Sequence, residues 1–122
     1  MNHNFKVAKG QGASALVALS DPMTGSNANR IGALSFEYHI PIISPGRPIV
    51  EAGGVLAYGP NIPLLFRRGA SRVGRILNGA KAANLPIERP TDFELIINMK
   101  SARAFALTVP HALLSRATQV IH

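Results

Sequence analysis

The stretch IPIISPGRPIVEAGGVLAYGPN (residues 40–61) contains two short apolar segments, each of which runs into a dense turn signal. The first segment, IPIIS (40–44), ends at PGRP, and the second, GVLAYG (54–59), ends at PN. Short apolar runs that are bounded by proline and glycine are typical of buried strands. The stretch therefore predicts two strands, with ordered turns at their ends.

Two further strands are predicted on either side of this stretch. ASALVALS (13–20) is nearly all apolar and ends at the turn signal DPMTGS, and FELIIN (93–98) follows an extended, proline-punctuated connector. Nearly continuous apolar strands are typical of parallel sheets, in which both faces are covered. These two segments therefore favour a mainly parallel sheet.

Helical periodicity fills the intervals between the strands. It predicts a helix at 30–39 that is capped by Ser26 or Asn27, a long helix at 62–78 that ends at Gly79, and a short helix at 100–106. A C-terminal helix is predicted from Pro110 onward, because apolar residues recur at helical spacing. These are Leu113, Leu114, Ala117, Val120 and Ile121. Alternating strands and helices predict an α/β fold with flanking helices.

Composition places the chain among globular proteins. It has 122 residues, of which 47% are hydrophobic and 16% charged, so one small domain with a modest core is expected. Cysteine is absent, which excludes disulfides and thiolate metal sites. Thirteen Lys and Arg stand against six Asp and Glu, and the net charge of +7 makes an acidic partner worth considering.

The first residues, MNHNFKVAKGQGAS, carry two lysines with no apolar segment behind them. A secretory signal peptide needs such an apolar segment, so none is predicted, and a chain expressed as given would be cytoplasmic. No apolar run approaches the length of about 18 residues that a membrane span requires.

Four arginines lie within nine residues of the long helix: Arg67, Arg68, Arg72 and Arg75. At 100° per residue they fall on the arc opposite the apolar residues, which is ordinary amphipathicity with a solvated basic face. The alternative is a basic interaction module that binds an acidic partner or nucleic acid through this face. No aromatic residue interleaves with the arginines, and no nucleic-acid-binding signature accompanies them, which argues against nucleic acid.

Catalytic and cofactor motifs are missing from the sequence. GQGASA (10–15) matches a dinucleotide-binding pattern, but it precedes a strand instead of opening a helix. The histidines His3, His39, His111 and His122 lack metal-ligand spacing, and no G-x-S-x-G elbow occurs. The sequence therefore predicts no metal, no cofactor and no enzymatic activity.

The predicted strand ends carry the polar groups that fit a small ligand, since ligands of open α/β sheets collect at the carboxyl ends of strands. Ser20 and Asp21 follow the first strand and offer a hydroxyl and a carboxylate for an ammonium group. Ser44 and Arg47 follow the second, where the guanidinium can clamp a carboxylate. Tyr58 ends the third with an aromatic face. Together they predict a site for a zwitterion such as an amino acid.

Four segments in their order and spacing resemble a known family: EAGGVLAYGPN (51–61), ILNGAKAANLP (76–86), FELIINMKSARAFALTVP (93–110) and LLSRATQVI (113–121). They are similar to the C-terminal part of ABC-transporter substrate-binding proteins of the tryptophan/tyrosine type. The resemblance implies a type I periplasmic-binding fold, in which two α/β lobes close on a small solute. It also implies a periplasmic location and a transporter membrane subunit as partner.

The resemblance implies roles for particular segments as well. Residues 13–59 correspond to second-lobe strands and the hinge region, and residues 60–122 to the long helix, a crossing strand and C-terminal helices. Ser20 and Asp21 would then face the cleft, with Ser44, Arg47 and Tyr58 near the hinge. The apolar arc of the long helix would pack on the sheet of the first lobe, with its arginines toward solvent.

Proteins of this type are considerably longer, so the chain is expected to be a single truncated unit of the fold. One wall of a cleft leaves a ligand partly solvated, and weak binding follows. Open, apolar sheet edges are expected to pair with a second copy or with a complementary N-terminal chain.

Overall fold

The computed structural model describes residues 1–122 and contains five strands, seven α-helices and one 3₁₀ helix. The strands are β1 Leu16–Val17, β2 Ile42–Ser44, β3 Leu56–Pro60, β4 Phe93–Asn98 and β5 Gln119–Ile121. The α-helices are α1 Asn2–Gly10, α2 Pro22–Ser26, α3 Ala28–Tyr38, α4 Arg47–Glu51, α5 Ile62–Leu77, α6 Met99–Ala104 and α7 His111–Leu114, and the 3₁₀ helix is Ala82–Asn84.

The five strands form one sheet in the order β1-β2-β3-β4-β5. β1 with β2, β2 with β3, and β4 with β5 pair in parallel. The backbone N–H of Asn98 donates to the carbonyl of Val55, so the end of β4 lies beside the start of β3 and the two strands run in opposite directions. The predicted α/β fold with a mainly parallel sheet and flanking helices is confirmed.

The chain divides into two compact units. Unit 1 comprises Met1–Gly59 and Glu94–His122, and unit 2 comprises Pro60–Phe93. The sheet core belongs to unit 1, and α5 with the segment that follows it belongs to unit 2. None of the helices is both long enough and apolar enough to cross a membrane.

Unit 1 is held together by apolar side chains on both sides of its strands. Phe5 of α1, Ile31 of α3, Ile42 of β2 and Ile49 of α4 form one cluster. Ile96 of β4 packs in a second cluster with side chains of α4 and β3, and it is 1% exposed. β4 lies in the interior of the sheet, which explains why FELIIN reads as a continuous apolar run.

Two short helices occupy stretches that the sequence predicted as turns. Asp21 caps α2, with its side chain accepting from the backbone of Thr24, and Pro22 takes the first helical position. Gly46 precedes α4, and Pro48 lies in its first turn. Proline and Asp favour turns and helix starts alike, so DPMTGS and PGRP were ambiguous, and the turn predictions were wrong.

The C-terminal helix prediction was also wrong in its second half. α7 ends at Leu114, and Val120 and Ile121 belong to β5, where Val120 pairs with Ile97 of β4. Apolar residues of a short helix and of a following strand happened to share helical spacing. α1 was not predicted, because Phe5 is its only buried residue and gives almost no periodic signal.

In unit 2, α5 begins and ends as the sequence predicts. Asn61 caps it by accepting from the backbone N–H of Leu64 at 2.9 Å. The helix ends at Leu77, and Gly79 adopts the positive φ of +98° that glycine tolerates beyond a helix end. Residues 80–93, which we call the return segment, contact α5 through Asp92, whose carbonyl accepts from the Asn61 N–H at 3.1 Å.

Candidate functional site

The carboxyl ends of β1 and β2 bring two predicted site residues together. A Cβ built on Gly46 would lie 2.8 Å from the Ser20 hydroxyl and 3.7 Å from the Ser44 hydroxyl. Both hydroxyls therefore lie close to Gly46, and only glycine leaves the Ser20 side chain where it lies. Ser44 is 4% exposed, and its hydroxyl oxygen accepts from the Gly46 N–H at 3.1 Å. We call this cluster of Ser20, Ser44 and Gly46 the serine edge.

The end of β3 lies against the same edge. A Cβ on Gly59 would overlap the carbonyl of Pro45, the residue between Ser44 and Gly46. The backbones of the two strand exits therefore approach as closely as glycine allows. Because of this close approach, the backbone that carries the serine edge is held in place by packing.

Asp21 continues directly from Ser20 and is anchored at the start of α2. Its carboxylate accepts from the Thr24 N–H at 2.8 Å, and the Thr24 hydroxyl accepts from the Asp21 N–H at 3.0 Å. This reciprocal capping box orients the exposed carboxylate. A carboxylate has more acceptor sites than this one bond uses, so Asp21 can still accept from an ammonium group.

Arg47 is engaged by three partners within unit 1. Its guanidinium donates to the Gln119 side chain at 2.7 Å and contacts Glu51 at 3.3 Å and Glu94 at 3.4 Å. A ligand carboxylate at this guanidinium would have to compete with two protein carboxylates. The side chain is 39% exposed, so the network is open to solvent on one side.

Tyr58 lies on the other face of the sheet from Ser44. Ser44 is in register with Ala57, and side chains alternate along a strand, so the neighbouring Tyr58 points to the opposite face. On that face Val17, Ile43 and Tyr58 are 64%, 41% and 57% exposed. The structure thus groups Ser20 with Ser44, holds Asp21 beside them, and sets Tyr58 apart.

Sequence reasoning missed Gly46, Glu94 and Gln119 as parts of this region. The Pro-Gly pair at 45–46 was interpreted only as a turn, and nothing local shows that two hydroxyls approach this glycine. Glu94 and Gln119 reach Arg47 from segments 47 and 72 residues away. No sequence signal links such distant positions.

The arginine stripe of α5 divides into two pairs. Arg67 and Arg75 are exposed, as the sequence predicts for a solvated face. Arg68 contacts Asp92 at 2.6 Å and Thr91 at 3.3 Å, and Arg72 contacts Glu88 at 2.9 Å. Arg68 and Arg72 thus lie against the return segment with 39% and 33% of their side chains exposed.

The apolar arc of α5 is uncovered. No residue of α5 is buried, and Phe66, Val73 and Leu77 are 77%, 56% and 81% exposed. We call Phe66, Val73, Ile76 and Leu77 the apolar face of α5. The expected packing of this face on the sheet of the first lobe stays a prediction. His, Asp and Glu side chains form no cluster of three that could hold a metal ion.

Comparison with known proteins gives a consistent result. A family model described as ABC transporter substrate binding protein matches residues 1–121. An ABC domain from Streptococcus pneumoniae, solved in complex with L-Trp, superposes with a TM-score of 0.89 at 23% identity. A conserved domain protein from Vibrio cholerae O1 superposes with a TM-score of 0.87 at 22% identity. No curated protein sequence matches.

A third similar structure is a ligand-free, open substrate-binding protein with adhesive properties from Clostridium difficile, with a TM-score of 0.68 at 22% identity. Each of the three superpositions covers 98% of this chain and 40% of the other chain. The chain thus spans about two-fifths of the length of the structures it matches. Because the family model covers all but the last residue, the chain belongs to the ABC transporter substrate-binding protein family.

Proposed function

We propose that the chain provides one wall of a solute-binding cleft and that it binds a small amino-acid-like ligand at the serine edge. The observation that carries this proposal is the closeness of the Ser20 and Ser44 hydroxyls to Gly46, at the carboxyl ends of parallel strands. The ligand class is supported by the Streptococcus pneumoniae neighbour, which was solved with L-Trp.

Each predicted contact has a defined chemical task. The two hydroxyls can donate to a ligand carboxylate or accept from an amine, and the capped Asp21 carboxylate can pair with the ammonium group. Arg47 would bind the ligand carboxylate in place of Glu51 or Glu94. Both of these carboxylates contact the guanidinium at more than 3 Å. Tyr58 can contact only a ligand that extends beyond the end of β3, because it lies on the opposite face.

Binding by this chain alone would be weak. A ligand pocket usually buries most of the ligand surface, and this chain spans 40% of the length of its structural neighbours. The remaining wall would come from the rest of the fold. The family function further implies delivery of the solute to a transporter membrane subunit outside the cytoplasm, with binding and not catalysis as the task.

The apolar face of α5 belongs to the same proposal. In the complete two-lobe fold this face would be covered by the remaining lobe, whether that lobe lies on the same polypeptide or on a complementary chain. In the isolated chain, a second copy would cover it instead. The exposure of Phe66 and Leu77 supports this assignment, because apolar patches of this kind mark interaction surfaces.

The ligand assignment is tested by calorimetric titration with L-Trp, L-Tyr and other free amino acids, together with thermal melts. Ligands at about 10 mM should raise the melting temperature by mass action if the dissociation constant is near 1 mM. Asp21→Asn should weaken binding about tenfold while preserving α2, because asparagine is as good an N-cap as aspartate. Ser26→Ala serves as a control outside the serine edge.

Two results would contradict the assignment. Absence of any saturable heat or melting shift with the whole panel would mean that this edge binds no amino acid. Equal binding by wild type, Asp21→Asn and Ser20→Ala would place the ligand elsewhere on the chain.

A further inference from the structure

Unit 2 contains a cavity of about 110 Å³ between α5 and the return segment. Its lining consists of Leu65, Arg68, Gly69, Arg72, Glu88 and Arg89. The four α5 residues among them recur at helical spacing, so they form one face of the helix. This face is distinct from the serine edge, which lies in unit 1, and nothing in the proposed function uses it.

Positive charge is in excess around this cavity. Three guanidinium groups line it against the single carboxylate of Glu88. Asp92 offsets one of them, since it contacts Arg68 at 2.6 Å. Arg89 forms no ion pair and is exposed. Excess guanidinium groups around one small space favour an anionic ligand.

Arg72 keeps donor groups available beside its ion pair. Its Nη2 atom is buried and has no hydrogen-bond partner. Glu88 lies 2.9 Å from the same atom, so the contact is an ion pair in which no N–H is directed at the carboxylate. The Arg72 side chain is 33% exposed, and a guanidinium has five N–H donors, so Arg72 can donate to an anion in the cavity while it keeps its contact with Glu88.

Gly69 provides the space. A Cβ built at this position would meet no atom within 4 Å, although the residue lies in the middle of a helix. Glycine is an unfavourable residue in a helix interior, so the open volume above it comes at a cost in helix stability. The cavity volume is large enough for several water molecules, and hence for a compact ion.

We propose that this cavity is a binding site for a tetrahedral oxyanion, such as phosphate or a phosphate monoester, held by Arg68, Arg72 and Arg89. A tetrahedral ion offers acceptor oxygens in several directions, which suits guanidinium groups that come from three positions of the chain. A carboxylate offers only two oxygens, both in one plane, and so reaches guanidinium groups from fewer directions. The site does not depend on the solute proposed for unit 1.

The guanidinium side of the site points away from the apolar face of α5, whereas Gly69 lies on that face. At 100° per residue, Arg72 and Phe66 point about 120° apart around the helix, but Gly69 lies between Val73 and Ile76. The site is therefore tested in the isolated chain, in which the apolar face is exposed.

The test is calorimetric titration of the full chain with inorganic phosphate. Arg72→Gln and Arg89→Gln should each weaken binding at least about tenfold, as expected for the loss of charge-assisted hydrogen bonds. Arg75→Gln removes the same charge from α5 outside the cavity and should change the affinity less than about threefold, because only long-range attraction is lost.

A second pair of variants tests the cavity without changing any charge. Gly69→Leu fills the space above the helix and should abolish phosphate binding, while leucine favours the helix itself. Gly74→Leu makes the same change at a position that also has no atom within 4 Å but does not line the cavity, and it should bind normally. Circular dichroism of each variant establishes that the helix is retained.

Two further ligands define the anion. Tighter binding of glycerol 3-phosphate than of free phosphate would show that the phosphoryl group is carried by a larger molecule, and the reverse would identify the free ion. Acetate that binds as tightly as phosphate would overturn the tetrahedral assignment. Absence of saturable phosphate binding, or equal losses in Arg75→Gln and Arg72→Gln, would overturn the site itself.

Discussion

Gly32 lies where α3 passes closest to the chain that leaves α4. A Cβ at this position would overlap the carbonyl group of Ala52, and backbone atoms cannot move aside as a flexible side chain can. The glycine therefore permits a close approach of helix to backbone. Gly74 in α5 is also a helix-interior glycine, but a Cβ there would meet nothing within 4 Å. Substitution of alanine at these two glycines therefore distinguishes the effect of close packing, at Gly32, from that of helix propensity alone, at Gly74.

We expect Gly32→Ala to destabilise the chain by at least about 2 kcal/mol, because overpacking forces the backbone of α3 away from Ala52. Gly74→Ala should stabilise it by roughly 0.5–1 kcal/mol through helix propensity alone. Urea denaturation followed by circular dichroism measures both changes. Similar effects of the two substitutions would show that α3 does not make this close approach in solution.

At the level of elements, Asn98 joins β4, α4 and α6. It is 5% exposed, its side-chain amide donates to the Val50 carbonyl at 2.9 Å, and its side-chain oxygen accepts from the Ser101 N–H at 3.0 Å. The second bond caps α6, and the first satisfies a carbonyl in the core. One buried side chain thus fixes the register between a strand end and two helices.

Asn98→Ala should lower the free energy of unfolding by about 2–4 kcal/mol, since it removes a helix cap and leaves a buried carbonyl without its donor. Asn98→Ser keeps an N-cap oxygen but cannot reach Val50, so its loss should be intermediate. Denaturant titration with fitted m-values gives both numbers. An alanine variant as stable as the serine variant would mean that the cap contributes nothing.

The elements differ in how far the sequence determines them. β4 was predicted at its observed bounds because its centre, residues 95–97, is apolar, and Ile96 and Ile97 are buried on its two faces. α5 was predicted within one residue because strong amphipathicity coincides with the stop signal at Gly79. α2 and α4 were missed because Asp-Pro and Gly-x-Pro start helices as readily as turns, and only tertiary packing decides between them.

The candidate site shows the same limit. Ser20 and Ser44 were predicted as site residues because each follows a predicted strand, and both hydroxyls lie close to Gly46 in the structure. The face on which Tyr58 lies depends on its register with β2, and the partners of Arg47 come from β4 and β5, so neither follows from local sequence. Likewise, which arginines of α5 form ion pairs depends on the path of the return segment, which local sequence does not predict.

For the whole molecule, the decisive feature is the apolar face of α5 in a chain of net charge +7. The basic composition suggests a polyanion partner, whereas the exposed Phe66 and Leu77 suggest an apolar one. The two interpretations have opposite salt dependence. Counterion release weakens polyanion binding as salt rises, while screening of like charges strengthens association between identical basic chains.

We therefore expect the isolated chain to self-associate at micromolar concentration, and more strongly at higher salt, as measured by light scattering. Phe66→Glu combined with Leu77→Glu should yield monomers because it sets charge into the contact. It should change the stability of the monomer by less than about 0.5 kcal/mol, since both side chains are already exposed. Ile87→Glu, at a residue that is 95% exposed but outside α5, is the matched control. A wild-type chain that stays monomeric, or a control that dissociates equally, would refute the role of the α5 face.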